Sequence, residues 1–395
     1  MSRPSYTLNL NPIQLNTPRR DRTEAPAPAP DNSRKLRKFA FGYFFEKRAG
    51  RTFRELAEEY APYLSEVYFP WPGLMSAREL NGNLEQQRKS LIDDMLFCRR
   101  KGIQLDLLMN ATCYGDTTFT MAQKDDFYAN LDLIKKAGIM PEIITTTSPY
   151  IATIAKKYSA GIDRRASVNM RLNSTLAMEY VMDSFDSYYI CRDVQRDLPT
   201  LKTFADWAKK NGKKLCMLAN SACLRYCPWQ TFHETLLSHH FVHIFEEMKV
   251  VKMPPTLCTG LAQEKRFEEL LRGSWIRPED LDRYLPYVSV VKLSTREADR
   301  PDLILKAYTS GSYDGDLLLL LDPTFSFLAK PMILDNKSFP QEWSEGKIAG
   351  ICANHCTHCG KCTKVMELAL KRDPDLPDFT KYSVSKPKTI KMPGC

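Results

Sequence analysis

Between residues 38 and 293, short apolar runs alternate with amphipathic segments, and that alternation constrains the fold more than any other feature of the chain. The run Lys38-Phe-Ala-Phe-Gly-Tyr-Phe has no helical spacing and reads as a strand. Thr52 to Leu64 is amphipathic, with Thr52 as cap and Glu55 three residues on completing a capping box. A second strand starts at Glu66 and stops at Pro70. The same reading gives helix Leu84 to Arg99, strand Gln104 to Asn110, helix Ala122 to Ala137, strand Pro141 to Thr146 and helix Ser148 to Tyr158. Strand Ala166 to Met170, helix Thr175 to Asp183, strand Ser187 to Arg192, helix Thr200 to Lys210 and strand Lys214 to Asn220 continue it. After a longer insertion, Val288 to Leu293 is the eighth strand. Strands separated by helices call for a parallel sheet, and eight is the number that closes a (β/α)8 barrel of TIM type. No Gly-x-Gly-x-x-Gly follows an early strand, which argues against an open dinucleotide-binding sheet.

The barrel is expected over residues 35–330, between a disordered arm at 1–34 and a small Cys-rich extension at 331–395. The arm mixes proline, charge and small residues, which cannot bury enough apolar surface to offset chain entropy. The longest apolar run, Leu317 to Leu321, is far below the roughly 18 residues of a membrane span. The first residues lack a charged start followed by an apolar block, so a cytoplasmic location is expected. The net charge of +9 is spread along the chain rather than gathered in a nucleic-acid-binding block.

Twelve cysteines are too dilute for a disulfide scaffold in a chain of 395 residues, and in a reducing cytosol clustered thiols serve as ligands or catalysts. Four of them, Cys352, Cys356, Cys359 and Cys362, are separated by three, two and two residues, so one short loop can fold four thiolates around a metal centre. Either an iron–sulfur cluster or zinc suits that group. Within the barrel, active sites form at the carboxyl ends of the strands. Cys113 follows the third strand there, Cys223 and Cys227 follow the seventh, and Cys258 lies in the insertion after it. Cys223, Cys227 and Cys258 are expected to supply three thiolates to an iron–sulfur cluster, with Cys113 preferred as the fourth over Cys216. Cys216 precedes Asn220 by four extended residues, roughly 13 Å, which sets it below the rim. Histidines 233, 239, 240 and 243 follow, and spacing alone does not choose among them. Arg171, Asn173, Arg192, Lys292 and Arg296 would make the mouth cationic and suited to a carboxylate or phosphate. Pairing of these cations with neighbouring acids such as Asp193 and Glu297 is the competing expectation.

At Cys223-Leu-Arg-Tyr-Cys227-Pro-Trp, with Asn220 ahead and His233 behind, and at Ile276-Arg-Pro-Glu-Asp-Leu and Val290-Val-Lys-Leu-Ser, the chain resembles the collagenase-like peptidase family over about residues 36–330. The resemblance implies a (β/α)8-type barrel and a four-cysteine [4Fe–4S] cluster. It includes oxygen-independent hydroxylation proteins acting on ubiquinone precursors and RNA bases, with prephenate the suggested oxygen donor. The expectations are therefore an iron–sulfur barrel enzyme hydroxylating an aromatic or nucleobase substrate with a small anionic donor, a peptidase, or a metal-stabilised RNA-binding or scaffold subunit. A heteromeric partner of the same family is a further expectation. Against the peptidase stands the lack of a Gly-x-Ser-x-Gly elbow or His-Glu-x-x-His helix.

Overall fold

The computed structural model describes residues 38–76, 84–240, 256–296, 298–348 and 356–376, with side chains at all of these except 84, 239, 240, 356 and 357. The arm at 1–34 lies outside the described residues. Eight parallel strands close into a barrel in sequence order, so the expected (β/α)8 architecture is present. They are β1 (Phe39–Gly42), β2 (Leu64–Phe69), β3 (Gln104–Met109), β4 (Ile143–Thr146), β5 (Asp163–Ala166), β6 (Ser187–Tyr189), β7 (Lys214–Leu218) and β8 (Val290–Lys292). Closure is made by β8 against β1, with Ala40 opposite Lys292.

Helices α1 (Phe53–Glu59), α2 (Leu84–Arg100), α3 (Met121–Lys136), α4 (Pro149–Tyr158), α5 (Thr175–Tyr180) and α6 (Leu198–Lys210) fill the crossovers. Their starts follow local chemistry. Thr52 forms the expected capping box with Glu55. Thr120, Ser148 and Ser174 cap α3, α4 and α5 through their hydroxyls. After β7 come α7 (Gln230–His240), α8 (Leu257–Gln263) and α9 (Glu268–Leu271), and after β8 comes α10 (Pro301–Ser310).

Side chains alternate between two environments along each strand. Phe39, Phe41, Val67, Phe69, Leu105 and Leu107 pack outward into the main core. Ala40, Tyr68, Leu108, Tyr189, Cys216 and Val290 form a smaller cluster of their own. Ionised groups share that inner position: Arg165 donates to Glu66 at 2.6 and 2.9 Å and stands 3.9 Å from Asp106, all three buried.

Two sequence expectations are corrected here. The fifth strand is Asp163–Ala166 rather than Ala166 to Met170, and Val168–Met170 is a 3₁₀ turn. Asp163-Arg-Arg-Ala carries no apolar periodicity because its charges are spent internally, Arg164 on Asp186 and Arg165 on Glu66. The segment at Trp275-Ile-Arg-Pro, whose proline reads in the sequence as the first turn of a helix, begins a 3₁₀ turn, Pro278–Arg283, rather than an α-helix.

The chain beyond β8 shares the barrel's core. It contains α11 (Ser326–Ala329), α12 (Gln341–Ser344), α13 (Cys356–Cys359) and α14 (Lys361–Ala369), with β9 (Met332–Leu334) pairing antiparallel to β10 (Leu370–Arg372). Val365, Met366 and Ala369 of α14 are buried in it. Trp343 stacks on Trp275 at 5.7 Å, and the Arg196 guanidinium lies 4.8 Å from the Trp343 ring and 5.6 Å from Trp275.

Candidate functional site

The loops after β3, β5, β6, β7 and β8 meet at the carboxyl end of the barrel. Asn220 joins two of them: its amide donates to Ser294 O and Leu320 O, both at 3.0 Å, and its side-chain oxygen accepts from Ser294 N at 2.7 Å. The Cys223–Cys227 loop beyond it is anchored by Ala222 N to Asp322 O at 2.9 Å and Ser274 N to Cys223 O at 3.1 Å.

Three of the expected thiols converge there. Burial raises the Cys227 thiol, and Cys258 and Cys223 raise it further, against the lowering effect of the Trp229 backbone and Arg171. Cys258, near the start of α8, is raised by burial and by Cys223, while Thr256, 3.2 Å from its sulfur, acts the other way. Cys227 therefore feels the charge of Cys223 and Cys258, and Cys258 that of Cys223. Among the described residues no three His, Cys, Asp or Glu side chains are grouped closely enough to hold a metal ion as they stand. The thiols lie within electrostatic reach, at longer range than a closed ligand shell.

The two candidates for a fourth thiol part company. Cys216 is fully buried on β7, where its nearest charges are Arg165, Glu66, Asp163 and Asp106, and burial pushes it up to about 12. Cys113 is partly accessible. Its neighbour Thr112 accepts nothing at its amide but donates from it to Ser238 Oγ at 3.0 Å, and its hydroxyl meets Thr235 at 3.3 Å. The loop after β3 is thereby docked on α7, which begins three residues after Cys227. His233 is half-buried on the same helix. The side chains of His239 and His240, and all of His243, lie outside the described residues.

Of the four cations expected at the mouth, two are paired with acids. Arg171 meets Asp193 at 3.2 Å, as the competing expectation had it, and Arg192 meets Glu234 at 2.8 Å. Burial works to lower Arg192, but Cys223 and Glu234 outweigh it and the guanidinium pKa rises. Arg296 is buried. Lys292 is partly accessible, and its ammonium makes no hydrogen bond among the described residues. Glu297, the other acid considered, lies outside them.

Sequence reasoning named Asp193 only as a salt-bridge partner and missed that it organises this face. Asp193, buried after β6, binds the Arg171 side chain, accepts from Tyr226 N at 2.6 Å through its carboxylate and from Arg225 Nε at 2.9 Å through its carbonyl. Arg171 and Tyr226 both take left-handed backbone, with φ of 54° and 55°. Non-glycine residues adopt that conformation at a cost of about 1–2 kcal/mol, and Asp193 holds both in place. An acid directly after a strand was the available signal. The mouth also contains buried polar atoms without partners: Asn110 Oδ1, Arg192 Nε, Gln230 Oε1 and Glu234 Oε2. Such atoms are suited to a bound molecule.

In the C-terminal group, Cys359 is exposed and Cys362 partly buried against the core. Cys352 and the Cys356 side chain lie outside the described residues, as does Cys395. Among the described residues no helix is long and apolar enough to cross a membrane.

No family model matches the chain. It is related in sequence to an uncharacterized protease of Methanocaldococcus jannaschii, 25% identical over 319 residues, which cover 78% of this chain and 89% of the relative. Among solved structures, a U32 peptidase matches 67% of this chain and 94% of its own, with a TM-score of 0.47 and 13% identity. The catalytic domain of a GH53 protein from Ignisphaera aggregans matches 65% of this chain and 84% of its own, with a TM-score of 0.34 and 8% identity.

Proposed function

We propose that this chain is an enzyme of the collagenase-like peptidase type whose reaction centre is an iron–sulfur cluster held by Cys223, Cys227 and Cys258, with Cys113 as fourth ligand. One observation carries this reading: three thiols from two separate segments stand within electrostatic reach of one another, beside Arg171 and Arg192. Thiolates are the characteristic ligands of such clusters. The two guanidiniums offset the negative charge that several thiolates would bring together. Closing the shell requires the thiols to turn toward one another on their loops. Bound there, the cluster supplies one-electron redox chemistry. The protein's part is to hold an anionic substrate against Arg171 and Arg192, and to orient it with the unpartnered atoms of Asn110, Gln230 and Glu234.

The reaction proposed is oxygen-independent hydroxylation of an aromatic or nucleobase substrate with a small anionic donor. A nucleobase substrate would bring RNA to the mouth, and salt-dependent binding checks that. Cys352, Cys356, Cys359 and Cys362 would hold a second iron–sulfur centre, or zinc.

The test is anaerobic purification followed by iron and sulfide analysis, with electron paramagnetic resonance of the native chain beside Cys223→Ser and Cys356→Ser. Iron and sulfide that fall by one cluster in Cys223→Ser support the proposal. A native chain with neither element sinks it. A peptidase is the second reading, favoured by the protease name of the sequence relative. Gelatin cleavage that persists in a Cys223→Ser, Cys227→Ser chain would establish it in place of the first.

A further inference from the structure

Beneath the thiols, the barrel interior carries a second reactive group. Lys292, the last residue of β8, pairs across the backbone with Ala40 on β1 and Leu218 on β7. Its ammonium lies 3.8 Å from the centre of the Tyr68 ring and 5.2 Å from that of Tyr189. The Tyr68 ring is locked, because its hydroxyl donates to Leu293 O at 2.8 Å and accepts from Thr295 N at 3.2 Å. The hydroxyl of Tyr189 is buried and has no hydrogen-bond partner among the described residues. Lys292, a partly accessible residue, thus places its ammonium 5.2 Å from the centre of a ring whose hydroxyl is buried and unpartnered.

We propose that Lys292 is a carbonyl-reactive amine, forming an imine with a small, negatively charged carbonyl compound whose oxygen is hydrogen-bonded by the Tyr189 hydroxyl. The amine lone pair forms the C–N bond as the carbonyl π pair moves to oxygen. That oxygen then leaves as water with the two amine protons, so no oxidant or reductant enters the step. The groups facing Lys292 fit this role. Asp106 and Glu66 favour the ammonium, whereas burial, Arg296 and Arg165 favour the free amine, and together they bring its pKa down to about 8. An ordinary lysine at about 10.4 holds on the order of a hundredfold less free amine at neutral pH. The cationic neighbours select a carbonyl compound that carries a carboxylate. Burial and the nearby Cys216, Glu66 and Asp106 raise Tyr189 well above its ordinary value, Arg165 opposing, so its hydroxyl keeps its proton and can donate.

The inference is independent of the thiolate centre. The full chain is incubated with pyruvate and cyanoborohydride at neutral pH, and the modified lysines are located by peptide mass mapping. Lys292 is expected to carry the reduced adduct roughly tenfold or more faster than exposed lysines, in keeping with its larger free-amine fraction. Tyr189→Phe keeps the ring and removes only the unpartnered hydroxyl, and it should slow labelling severalfold with an unchanged circular dichroism spectrum. Labelling of Lys292 no faster than exposed lysines overturns the proposal, and so does an unchanged rate in Tyr189→Phe. The same labelling is expected in a Cys223→Ser chain, so a preparation without iron still tests Lys292.

Discussion

Replacing Arg165 by methionine should destabilise the protein more than any single change at the mouth. The guanidinium is 2% exposed, donates to both oxygens of Glu66 at 2.6 and 2.9 Å and to Ser187 Oγ at 3.0 Å, and stands 3.9 Å from Asp106. An ion pair at about 4 Å in a medium of effective dielectric about 20 is worth about 4 kcal/mol of attraction, part of which offsets the desolvation of both partners. Without Arg165, Glu66 and Asp106 remain as buried carboxylates facing one cation, Lys292. The expected loss is about 3–5 kcal/mol, the range for breaking a buried pair by removing one partner. At a urea slope of about 3 kcal/mol/M, the midpoint should fall by roughly 1–1.7 M, read by tryptophan fluorescence. The companion chain Glu66→Leu, Arg165→Met removes both charges and should recover part of that loss. The reasoning fails if Arg165→Met moves the midpoint by less than about 0.3 M, equal to about 1 kcal/mol at that slope, or if the double variant is less stable than the single.

Three further outcomes are expected. A Cβ on Gly42 would meet the Tyr68 hydroxyl and, at 2.7 Å, Arg296 Cγ, and Tyr68 is held by its bonds to Leu293 and Thr295, so Gly42→Ala should destabilise by about 1–3 kcal/mol and slow Lys292 labelling, measured by thermal melting and mass mapping. Asp193→Asn weakens the hold on Arg171 and Tyr226, and for the cluster proposed above it should lower iron retention about 10- to 100-fold in chelator competition while the barrel's circular dichroism is unchanged. Burial, the largest cause, raises Asp106 to about 6, so its contribution to stability is complete below about 3.8 and is lost as pH rises through about 6. Melting temperatures of native and Asp106→Asn chains across that window should therefore diverge, the native chain losing ground as pH rises; parallel curves would refute the assignment.

Most of the barrel was legible because its outward strand faces and helix stripes obey the ordinary periods of two and 3.6 residues. Thr52 and Glu55 announced the first helix from their spacing alone. The fifth strand escaped because Arg164 and Arg165 read as surface charge. At the mouth, position along the chain identified Cys223, Cys227 and Cys258, since residues after strand seven must sit at the carboxyl end. By depth along the strand it preferred Cys113 to Cys216 as a fourth thiol, but it could not reveal which cations were already paired.

By itself, then, the sequence determined the eightfold alternation and the position of Cys223, Cys227 and Cys258 beyond the seventh strand, because these follow from local periodicity and chain order. Tertiary structure alone decided that Cys216 faces Arg165, that Asp193 ties two loops together, and that Lys292 stands between two tyrosine rings. Each depends on strands distant in sequence meeting across a closed barrel. A side chain's charge state and partners are set by those neighbours, which no local pattern records.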